Sequence, residues 1–430
     1  FKQKTAYEIM PSLVGSEMCI RDRFPSPYNF AAFNRPPNSE YIIHDCTLRE
    51  GEQTPGVVFS IEDKKRIAEK LDEVGIQQLE AGFPVVSEKQ RKGIKALVKM
   101  DLDAEIICFS RAKQVDIDAA AETGADGIVV SFSISQYHRN YKFHKMSKEK
   151  YLDELARWVS YAKDYGLFVI YGAEDSTREN DLNFLKEAFK TAEEAGADRA
   201  RIVDTLGCIR PSGMTYLIRE IRNTINIPIE VHCHNDMGLA LANSLAAIEA
   251  GATTISTSVN GIGERSGITP TEEAITALHV LFGIDQFDTS KLTELSKIVE
   301  NISGVNVAVN KPITGENACT HGSGIHQHGV FMNPITYETF HPKLIGRRRK
   351  VYIDELCGTH GVLYIAEKEL GINISKDTAQ KVLSRIKTSY SEGARHSAYT
   401  TSELKRLINE IRDAEVNGIN NFLGKMSRKM

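Results

Sequence analysis

The sequence predicts an α/β fold, in which a (β/α)8 TIM barrel is followed by a smaller, mainly helical C-terminal domain. From residue 40 onward, eight short apolar runs alternate with eight amphipathic helical patterns, the order expected for a barrel of parallel strands. Several of these helices end in glycine just before the next run, where a left-handed residue stops a helix at little cost. The alternating region, residues 40–285, has 246 residues, close to the roughly 250 typical of that fold. A doubly wound sheet is the structural alternative.

The strand candidates are short runs rich in β-branched and aromatic residues, and helical patterns separate them. The predicted strands are Tyr41–Asp45, Gln78–Ala81, Glu105–Phe109, Gly127–Ser133, Phe168–Gly172, Arg199–Val203, Pro228–His232 and Thr254–Ser258. The predicted helices are 61–74, 87–99, 115–122, 147–165, 181–195, 211–224, 238–250 and 271–282.

The alternation stops after residue 285, and residues 286–430 are predicted to form the C-terminal domain. A helix is expected at 289–303, followed by a loop rich in Gly, His and Asn at 304–335. Two further helical patterns cover residues 375–387 and 401–416, and we expect the basic tail after them to be frayed.

Residues 1–39 are interpreted as a disordered leader outside the fold. The first 23 residues do not begin with Met, fit neither helix nor strand, and resemble translated cloning sequence, so they are candidates for non-native sequence. Residues 24–39 are rich in Pro and Asn and predict an extended lead-in.

Composition excludes several classes of protein. The chain has 53 Lys and Arg against 57 Asp and Glu, a net charge of −4, which argues against binding nucleic acid through a basic surface. No stretch approaches the roughly 18 apolar residues of a membrane span. Seven scattered Cys, with no CxxC pair, make a disulfide framework or a thiolate zinc site improbable, and they favour a reducing, cytoplasmic compartment.

Charged and polar side chains recur where the predicted strands end, which is where barrel enzymes carry their chemistry. The candidates are Asp45, Thr47, Arg49, Glu50, Gln53, Glu80, Ser131, Ser133, Glu174, Asp175, Ser176, Asp204, Thr205, His232, His234, Asn235, Asp236, Asn260, Glu264 and Arg265. A barrel built for stability alone would not need them on one face.

His232 and His234 are spaced two residues apart, so in a strand both imidazoles point to the same side. Two such histidines and a carboxylate from another strand form a site for a divalent ion that leaves positions open for substrate. Glu50 lies at another strand end and can supply that carboxylate. The alternative is that the two histidines form hydrogen bonds with neighbouring carboxylates and bind no metal.

Three segments carry a family resemblance: HDCTLREGEQTPGVVFS (44–60), VHCHNDMGLALANSLAAIEAGA (231–252) and NGIGERSGITPTEEA (260–274). They resemble the signatures of the isopropylmalate/homocitrate synthase family, whose wider superfamily includes hydroxymethylglutaryl-CoA lyases and pyruvate carboxyltransferase domains. The resemblance extends from about residue 40 to the C-terminus. It implies a metal-dependent barrel enzyme.

The resemblance assigns the metal ligands to Glu50, His232 and His234, for Mg²⁺, Mn²⁺ or Zn²⁺. It implies that a 2-oxo acid binds the ion, that acetyl-CoA loses a methyl proton and attacks the ketone, and that water then cleaves the thioester. Arg49 matches the residue that stabilises the developing alkoxide, and Thr205 the residue that binds the oxo-acid carboxylate.

The same resemblance places Gln53 and Glu80 in or next to the substrate site and Glu174 among the catalytic residues. His326 matches a histidine that the second domain, often of a neighbouring subunit, brings over the barrel mouth for proton transfer. The C-terminal domain is therefore expected to act as a lid and to form a homodimer. His321 is a candidate supporting residue.

The choice of oxo acid stays open because features of three subgroups are mixed. Ile170 stands where lysine-pathway homocitrate synthases carry an Arg for the distal carboxylate, and His328 stands where Asp is usual. The leading expectation is 2-oxoglutarate, giving homocitrate; 2-isopropylmalate or citramalate synthesis is the alternative. A metal-dependent hydroxyacyl-CoA lyase and an inactive scaffolding barrel are further alternatives.

Some polar residues have a simpler interpretation. Asp45 and Thr47 are as well suited to fixing a turn as to touching substrate. Glu264 and Arg265 are expected to pair with each other, and the basic run 347–350 to lie in solvent. Cys46 and Cys233 occupy intervening positions that should face away from the metal.

Overall fold

Eight parallel strands close into a barrel in sequence order, with β1 paired to both β2 and β8, which confirms the predicted TIM barrel. The computed structural model describes residues 23–32 and 40–427. The barrel strands are β1 (Ile42–Asp45), β2 (Gln78–Gly82), β3 (Glu105–Arg111), β4 (Gly127–Ser131), β5 (Phe168–Ala173), β6 (Arg199–Asp204), β7 (Ile229–Cys233) and β8 (Thr254–Thr257).

Helices connect the strands, and their ends follow local sequence signals. The helices up to residue 303 are α1 (Pro27–Ala32), α2 (Ile61–Val74), α3 (Glu88–Val98), α4 (Gln114–Ala121), α5 (Gln136–Tyr141), α6 (Lys148–Asp164), α7 (Leu182–Glu194), α8 (Pro211–Arg222), α9 (Ala240–Ala250), α10 (Thr271–Phe282) and α11 (Leu292–Ser303). Helix α2 starts with a capping box between Ser60 and Asp63 and ends at Gly75, whose φ of 89° is left-handed.

The interior of the barrel has an apolar half and a charged half. Ile107, Val129 and Ile170 of β3–β5 form a fully buried apolar cluster. On the opposite side, β1, β2, β6 and β7 point charged side chains inward, and these are also buried. Since all strands are covered by helices, period-two alternation selects which residues face the interior.

The chain divides into two units, one of residues 26–308 and 312–314 and the other of residues 309–311 and 315–430 with the segment before residue 26. The second unit contains β9 (Thr320–His321), α12 (Gly324–Met332), β10 (Lys350–Val351), α13 (Thr359–Tyr364), a π-helical segment (Ile365–Glu369), α14 (Lys376–Ser391) and α15 (Thr401–Ser427). Its own core includes Ile353, Val362, Ile386 and Ile408, all fully buried.

Four local predictions differ from the structure. Residues 324–332, predicted as loop, form α12, because buried Gln327 and Val330 stabilise a sequence whose two glycines weaken helix propensity. Helix α5 was not predicted, since its polar sequence has no apolar periodicity. Part of the predicted extended lead-in is helix α1, for which Pro27 suits the first turn. Helix α15 continues to Ser427, beyond the predicted end of the helix at residue 416.

Residues 1–22 and 33–39 lie outside the described residues, as do residues 428–430, so most of the predicted leader and the end of the tail are not described. Within the described part of the chain, no helix combines the length and the apolar character needed to cross a membrane.

Candidate active site

A cavity of about 840 Å³ opens at the carboxyl ends of the barrel strands. Since these ends all meet at one face of a parallel barrel, side chains far apart in sequence converge there. The predicted strand-end residues that line the cavity are Arg49, Glu50, Gln53, Ser131, Ser133, Glu174, Thr205, His232, His234, Glu264 and Arg265.

Glu50, His232 and His234 are arranged as a metal site would require. One carboxylate oxygen and one nitrogen of each imidazole lie within 4.8 Å of one another. The Nδ1 atoms of both histidines have no hydrogen-bond partner among the described residues, although both are buried. Burial lowers the pKa of His232 and of His234, which favours the neutral imidazole that binds metals. The residues present therefore fit a divalent ion.

The loop after β8 fixes the carboxylate of the cluster. The backbone N–H of Glu264 donates to Glu50 Oε1 at 3.1 Å. Arg49 Nη1 donates to the other carboxylate oxygen, and the Gln53 amide lies beside both side chains. Glu50 is thus held on two sides, while the cavity leaves the cluster accessible.

Arg49 lies between two carboxylates at the floor of the cavity. Its Nε donates to Glu80 and its Nη1 to Glu50, while its guanidinium carbon lies 4.5 Å from the centre of the Phe109 ring. Burial alone would lower the pKa of Arg49, but Glu80 and Glu50 outweigh it and raise the pKa above its ordinary value. The guanidinium is therefore a fixed positive charge next to the candidate metal ligands.

Glu80 is not in the lining of the cavity but lies beneath it, next to the predicted substrate site. Its side chain is 0 % exposed and, besides Arg49, it binds Arg201 Nη1 at 2.8 Å and His44 Nε2 at 3.3 Å. Burial disfavours its charged form, but Arg49 and Arg201 hold the pKa of Glu80 well below its usual value. Glu80 instead positions Arg49.

A buried charged network, which was not predicted from the sequence, lies beneath the cavity. Arg201 Nη2 lies 2.8 Å from Glu230 Oε1, and His44 Nδ1 lies 3.4 Å from the same oxygen. The detectable signal is period-two spacing: Glu230 precedes His232 by two residues in β7, so both point into the barrel. Because these groups are charged, a search for apolar core positions does not find them.

Glu174 forms a second polar centre at the mouth of the cavity. Its Oε2 lies 2.7 Å from Lys142 Nζ and also accepts a hydrogen bond from the Ser133 hydroxyl. Lys142 follows α5 directly, so the sequence analysis could not place it once that helix was missed. Thr205 Oγ1 accepts a hydrogen bond from the Asp175 backbone N–H at 2.8 Å, which leaves its hydroxyl proton available to a ligand.

The polar residues for which a structural role is the simpler interpretation form hydrogen bonds with other residues of the barrel. Asp45 is buried and accepts hydrogen bonds from the Thr47 N–H at 2.9 Å and the Thr271 hydroxyl at 2.6 Å. The expected pair of Glu264 with Arg265 is wrong, because Arg265 binds Asp236 through two hydrogen bonds. Because of the backbone geometry of this turn, the side chains of residues 264 and 265 point in different directions.

The two interior cysteines are buried thiols. Cys46 Sγ lies 3.5 Å from Glu80 Oε2, so it faces the buried network and not the metal cluster. Burial raises the pKa of Cys46 and, to about 12, that of Cys233. Cys46 also belongs to a second group of potential ligand atoms with His44 and Glu80, but Glu80 already binds two arginines.

The C-terminal unit carries the remaining predicted residues. His326 lies on α12, with its ring stacked on Tyr337 at 4.2 Å between centroids. His321 Nε2 lies 3.3 Å from Glu338 Oε1, which also binds Arg349. The basic run 347–350 is therefore not a solvated face throughout, because carboxylates of its own unit pair with it.

Comparison with known proteins shows which family the chain belongs to. The HMGL-like family matches residues 40–299, and a domain described as "Homocitrate synthase post-HMGL domain-like" matches residues 313–394. The chain is 45% identical over 373 residues to homocitrate synthase AksA of Methanopyrus kandleri, covering 86% of this chain and 92% of that one. It is 44% identical to 2-isopropylmalate synthase of Methanocaldococcus jannaschii, covering 84% and 70% of the two chains.

The same fold occurs in solved structures of lower identity. The HMG-CoA lyase of Bacillus subtilis superposes with a TM-score of 0.57 at 21% identity, covering 64% of this chain and 97% of the lyase. At that identity the likeness shows the fold alone. The matches at higher identity cover both the barrel and the C-terminal unit, so the chain belongs to the HMGL-like family, in its homocitrate and isopropylmalate synthase group.

Proposed function

We propose that this chain is an acyltransferase that condenses acetyl-CoA with 2-oxoglutarate and hydrolyses the resulting thioester, which gives homocitrate and free CoA. The observation that carries the proposal is the convergence of Glu50, His232 and His234 on the cavity floor beside Arg49. Relatives named homocitrate synthase AksA, 44–45% identical over most of the chain, support this choice of reaction.

The cavity floor supplies binding and charge for the condensation. A divalent ion held by Glu50, His232 and His234 would act as a Lewis acid toward the ketone. The acetyl methyl group loses a proton, its carbon bonds to the ketone carbon, and the ketone oxygen becomes an alkoxide. Arg49 stabilises that negative charge, because Glu80 fixes its guanidinium before the reaction starts.

Other residues orient the substrate and handle protons. The free hydroxyl proton of Thr205 is available to donate to the oxo-acid carboxylate, and Gln53 lies beside Arg49 at the same floor. We propose His326 as the base for the methyl proton, since imidazole exchanges protons near neutral pH. Glu174, anchored by Lys142, is the second catalytic candidate. Water then breaks the C–S bond, and the thiol of CoA leaves.

One observation favours 2-isopropylmalate or citramalate synthesis as the second candidate. Phe109, Val129 and Gly172 form an apolar part of the cavity wall, and Ile170 is buried beneath it. An apolar wall suits 2-oxoisovalerate or pyruvate better than the distal carboxylate of 2-oxoglutarate. The lyase alternative is less favoured, since residues 313–394 match a domain described as that of a homocitrate synthase.

The proposal also covers the role of the C-terminal unit, the oligomeric state and the cellular location. We propose that residues 286–430 act as lid and dimerisation domain of a homodimer. The six cysteines within the described residues are free thiols, which supports the proposed cytoplasmic location.

Release of CoA thiol measured with separate oxo acids tests the proposed reaction. The purified full chain, supplied with Mg²⁺, Mn²⁺ or Zn²⁺, is assayed with acetyl-CoA and 2-oxoglutarate, 2-oxoisovalerate or pyruvate, and products are identified by mass spectrometry. We expect kcat/KM for 2-oxoglutarate to exceed the others by about 100-fold, the scale of discrimination that a difference in one substrate group can produce in a binding site. A preference for 2-oxoisovalerate or pyruvate would establish the second candidate. Absence of oxo-acid-dependent thiol release with all three would reject the proposal.

A further inference from the structure

We propose that Lys64 is a positioning residue for the condensation, because its buried ammonium group joins the backbone next to Arg49 to the backbone next to Glu80. This inference rests on the proposed function, since it concerns how the positive charge that meets the alkoxide is held in place. Lys64 lies near the start of α2 and is only 3 % exposed. It is not in the lining of the cavity, so it acts through Arg49 and Glu80 and not by contact with substrate.

The Lys64 ammonium bridges two neighbouring strand ends. Its Nζ donates to the Leu48 carbonyl at 2.9 Å and to the Ala81 carbonyl at 3.0 Å. Leu48 directly precedes Arg49 in the loop after β1, and Ala81 directly follows Glu80 in β2. One ammonium group therefore fixes the spacing of the backbone beside both members of the Arg49–Glu80 ion pair, whose side chains meet beneath the cavity.

Strand β2 is irregular at the point where Lys64 binds it. The register with β3 shifts between Glu80 and Gly82, so Ala81 is an extra residue without a partner in that strand. Such a bulge re-aims the side chains beside it, and its backbone groups need other partners. The next residue has no room for a side chain, because a Cβ added at Gly82 would collide with Gln90 Oε1 and come within 3.3 Å of Lys64 Nζ. The bulge and the glycine together let the ammonium approach the strand that carries Glu80.

The charge of Lys64 is balanced outside the barrel interior. Its counter-ion is Glu52, whose Oε2 lies 2.7 Å from Nζ, and Gln90 Oε1 also accepts a hydrogen bond from Nζ at 3.0 Å. Burial lowers the pKa of Lys64, and the Glu52 carboxylate opposes that shift. With the two carbonyls, the three N–H groups have four acceptors around them. The ammonium is therefore held in one position, which suits a clamp.

The contacts of Lys64 are of two kinds, and each kind predicts a different effect. The ion pair with Glu52 stabilises the fold, whereas the hydrogen bonds to the two carbonyls fix the position of Arg49. Misplacing a reacting group by about 1 Å can cost about 100-fold in rate. Loss of the carbonyl contacts should therefore lower turnover, and a weaker ion pair should lower only stability.

Steady-state thiol release and urea unfolding compare two variants of this cluster with wild type. We expect Lys64→Met to lower kcat by at least about tenfold, with KM for the oxo acid within about twofold, because the lost interaction acts in the transition state. Glu52→Gln keeps the carbonyl contacts of Lys64, so it should lower the free energy of unfolding but leave kcat within about twofold of wild type. Lys95→Met, the same substitution at an exposed position of α3, is the matched control.

A double-mutant cycle with Arg49 separates positioning from a purely structural role. In an Arg49→Lys background the guanidinium is already absent, so adding Lys64→Met should lower kcat by no more than about twofold. If Lys64→Met does not fold, Lys64→Met combined with Glu52→Gln replaces it, because removing both charges leaves no buried charge without a partner. An equal fractional loss of kcat in both backgrounds, or wild-type kcat in the folded Lys64 variant, would overturn the proposal.

Binding of Co²⁺ to the metal-free protein makes the test independent of turnover. Glu50 follows Arg49 in the same loop, so freeing that loop should weaken the candidate metal site. We expect calorimetry to give a Kd for Co²⁺ that is about tenfold higher in Lys64→Met than in wild type and unchanged in Lys95→Met. If wild type releases no thiol with any oxo acid, the proposed reaction fails, and the Co²⁺ affinities alone decide the role of Lys64. Equal Kd values for wild type and Lys64→Met would then reject it.

Discussion

At the scale of single residues, buried ion pairs organise the site. Burial disfavours each charge by itself, and the opposite charge beside it compensates for that cost. Arg49 and Arg201 share the Glu80 carboxylate, and Arg201 also binds Glu230. Breaking a buried pair by removing one partner costs several kcal/mol, because the remaining charge is left without compensation. This cost keeps the Arg49 guanidinium in one position, which transition-state stabilisation requires.

The substitution His232→Ala tests the metal cluster. It removes one of three ligands, so we expect bound metal to fall from about one ion per chain to below about a tenth, and kcat to fall by at least about 100-fold. Metal content is measured by inductively coupled plasma mass spectrometry after dialysis, with circular dichroism as a check on folding. The exposed His396→Ala variant is the control and should match wild type. Full metal content in folded His232→Ala protein would contradict the ligand assignment.

At the scale of elements, strand alternation and strand order determine which residues meet. In β7, residues 230 and 232 point inward while Val231 packs outward, and β6 beside it contributes Arg201. In the C-terminal unit, the short pair β9 and β10 brings His321 near Arg349, and Glu338 binds both. Each of these contacts follows from the position of a strand.

The Glu338 contacts predict how stability depends on pH. Burial alone would raise the pKa of Glu338, but Arg349 and His321 lower it from 4.5 to about 2. Because the folded-state pKa is depressed, the stabilisation is complete above pH 4.5 and is lost as pH falls toward 2. We expect this carboxylate to contribute about 2 kcal/mol at pH 7 and little at pH 2.

Urea unfolding of wild type and Glu338→Gln at pH 7 and at pH 3 measures this contribution. The difference in unfolding free energy between the two proteins should shrink at the lower pH. Glu367→Gln is the control, because this exposed glutamate pairs only with its neighbour Lys368 in a solvated contact. The same difference at both pH values would show that the ionisation of Glu338 does not stabilise the unit.

At the scale of the whole molecule, the candidate catalytic residues are divided between two units. Arg49 and the proposed metal ligands lie in residues 26–308, and His326 lies in the unit that includes residues 315–430. Each unit has its own buried core. If the proposed homodimer shares active sites, each site would combine Arg49 of one subunit with His326 of the other.

Mixing two inactive variants tests this arrangement. His326→Ala and Arg49→Lys should each lower kcat by about 100-fold when assayed separately. Co-expressed and purified together through two affinity tags, they should recover activity toward about half of the wild-type value, since each mixed dimer retains one intact site of two. As the control, each variant is co-expressed with itself, one copy with each tag, and purified in the same way. Activity no greater than the sum of the separate variants would exclude shared sites.

The sequence by itself determined the barrel and the identity of its cavity residues. Alternating apolar runs and glycine stops placed all eight strands within one or two residues at nearly every boundary, because local periodicity encodes which face of a strand or helix is buried. Spacing of two residues was sufficient to put His232 and His234 on one side. Short polar elements such as α5 and α12 were missed, because tertiary contacts and not periodicity stabilise them.

Only the tertiary structure decided which charges meet. Glu80 binds Arg49 and Arg201 beneath the cavity, and Arg265 binds Asp236 instead of its neighbour Glu264. The physical reason is that partners in an ion pair are chosen by distances across a closed barrel, and no local pattern records those distances. A charged residue can therefore be assigned to a strand end from sequence, but its partner depends on the register of strands that are remote along the chain.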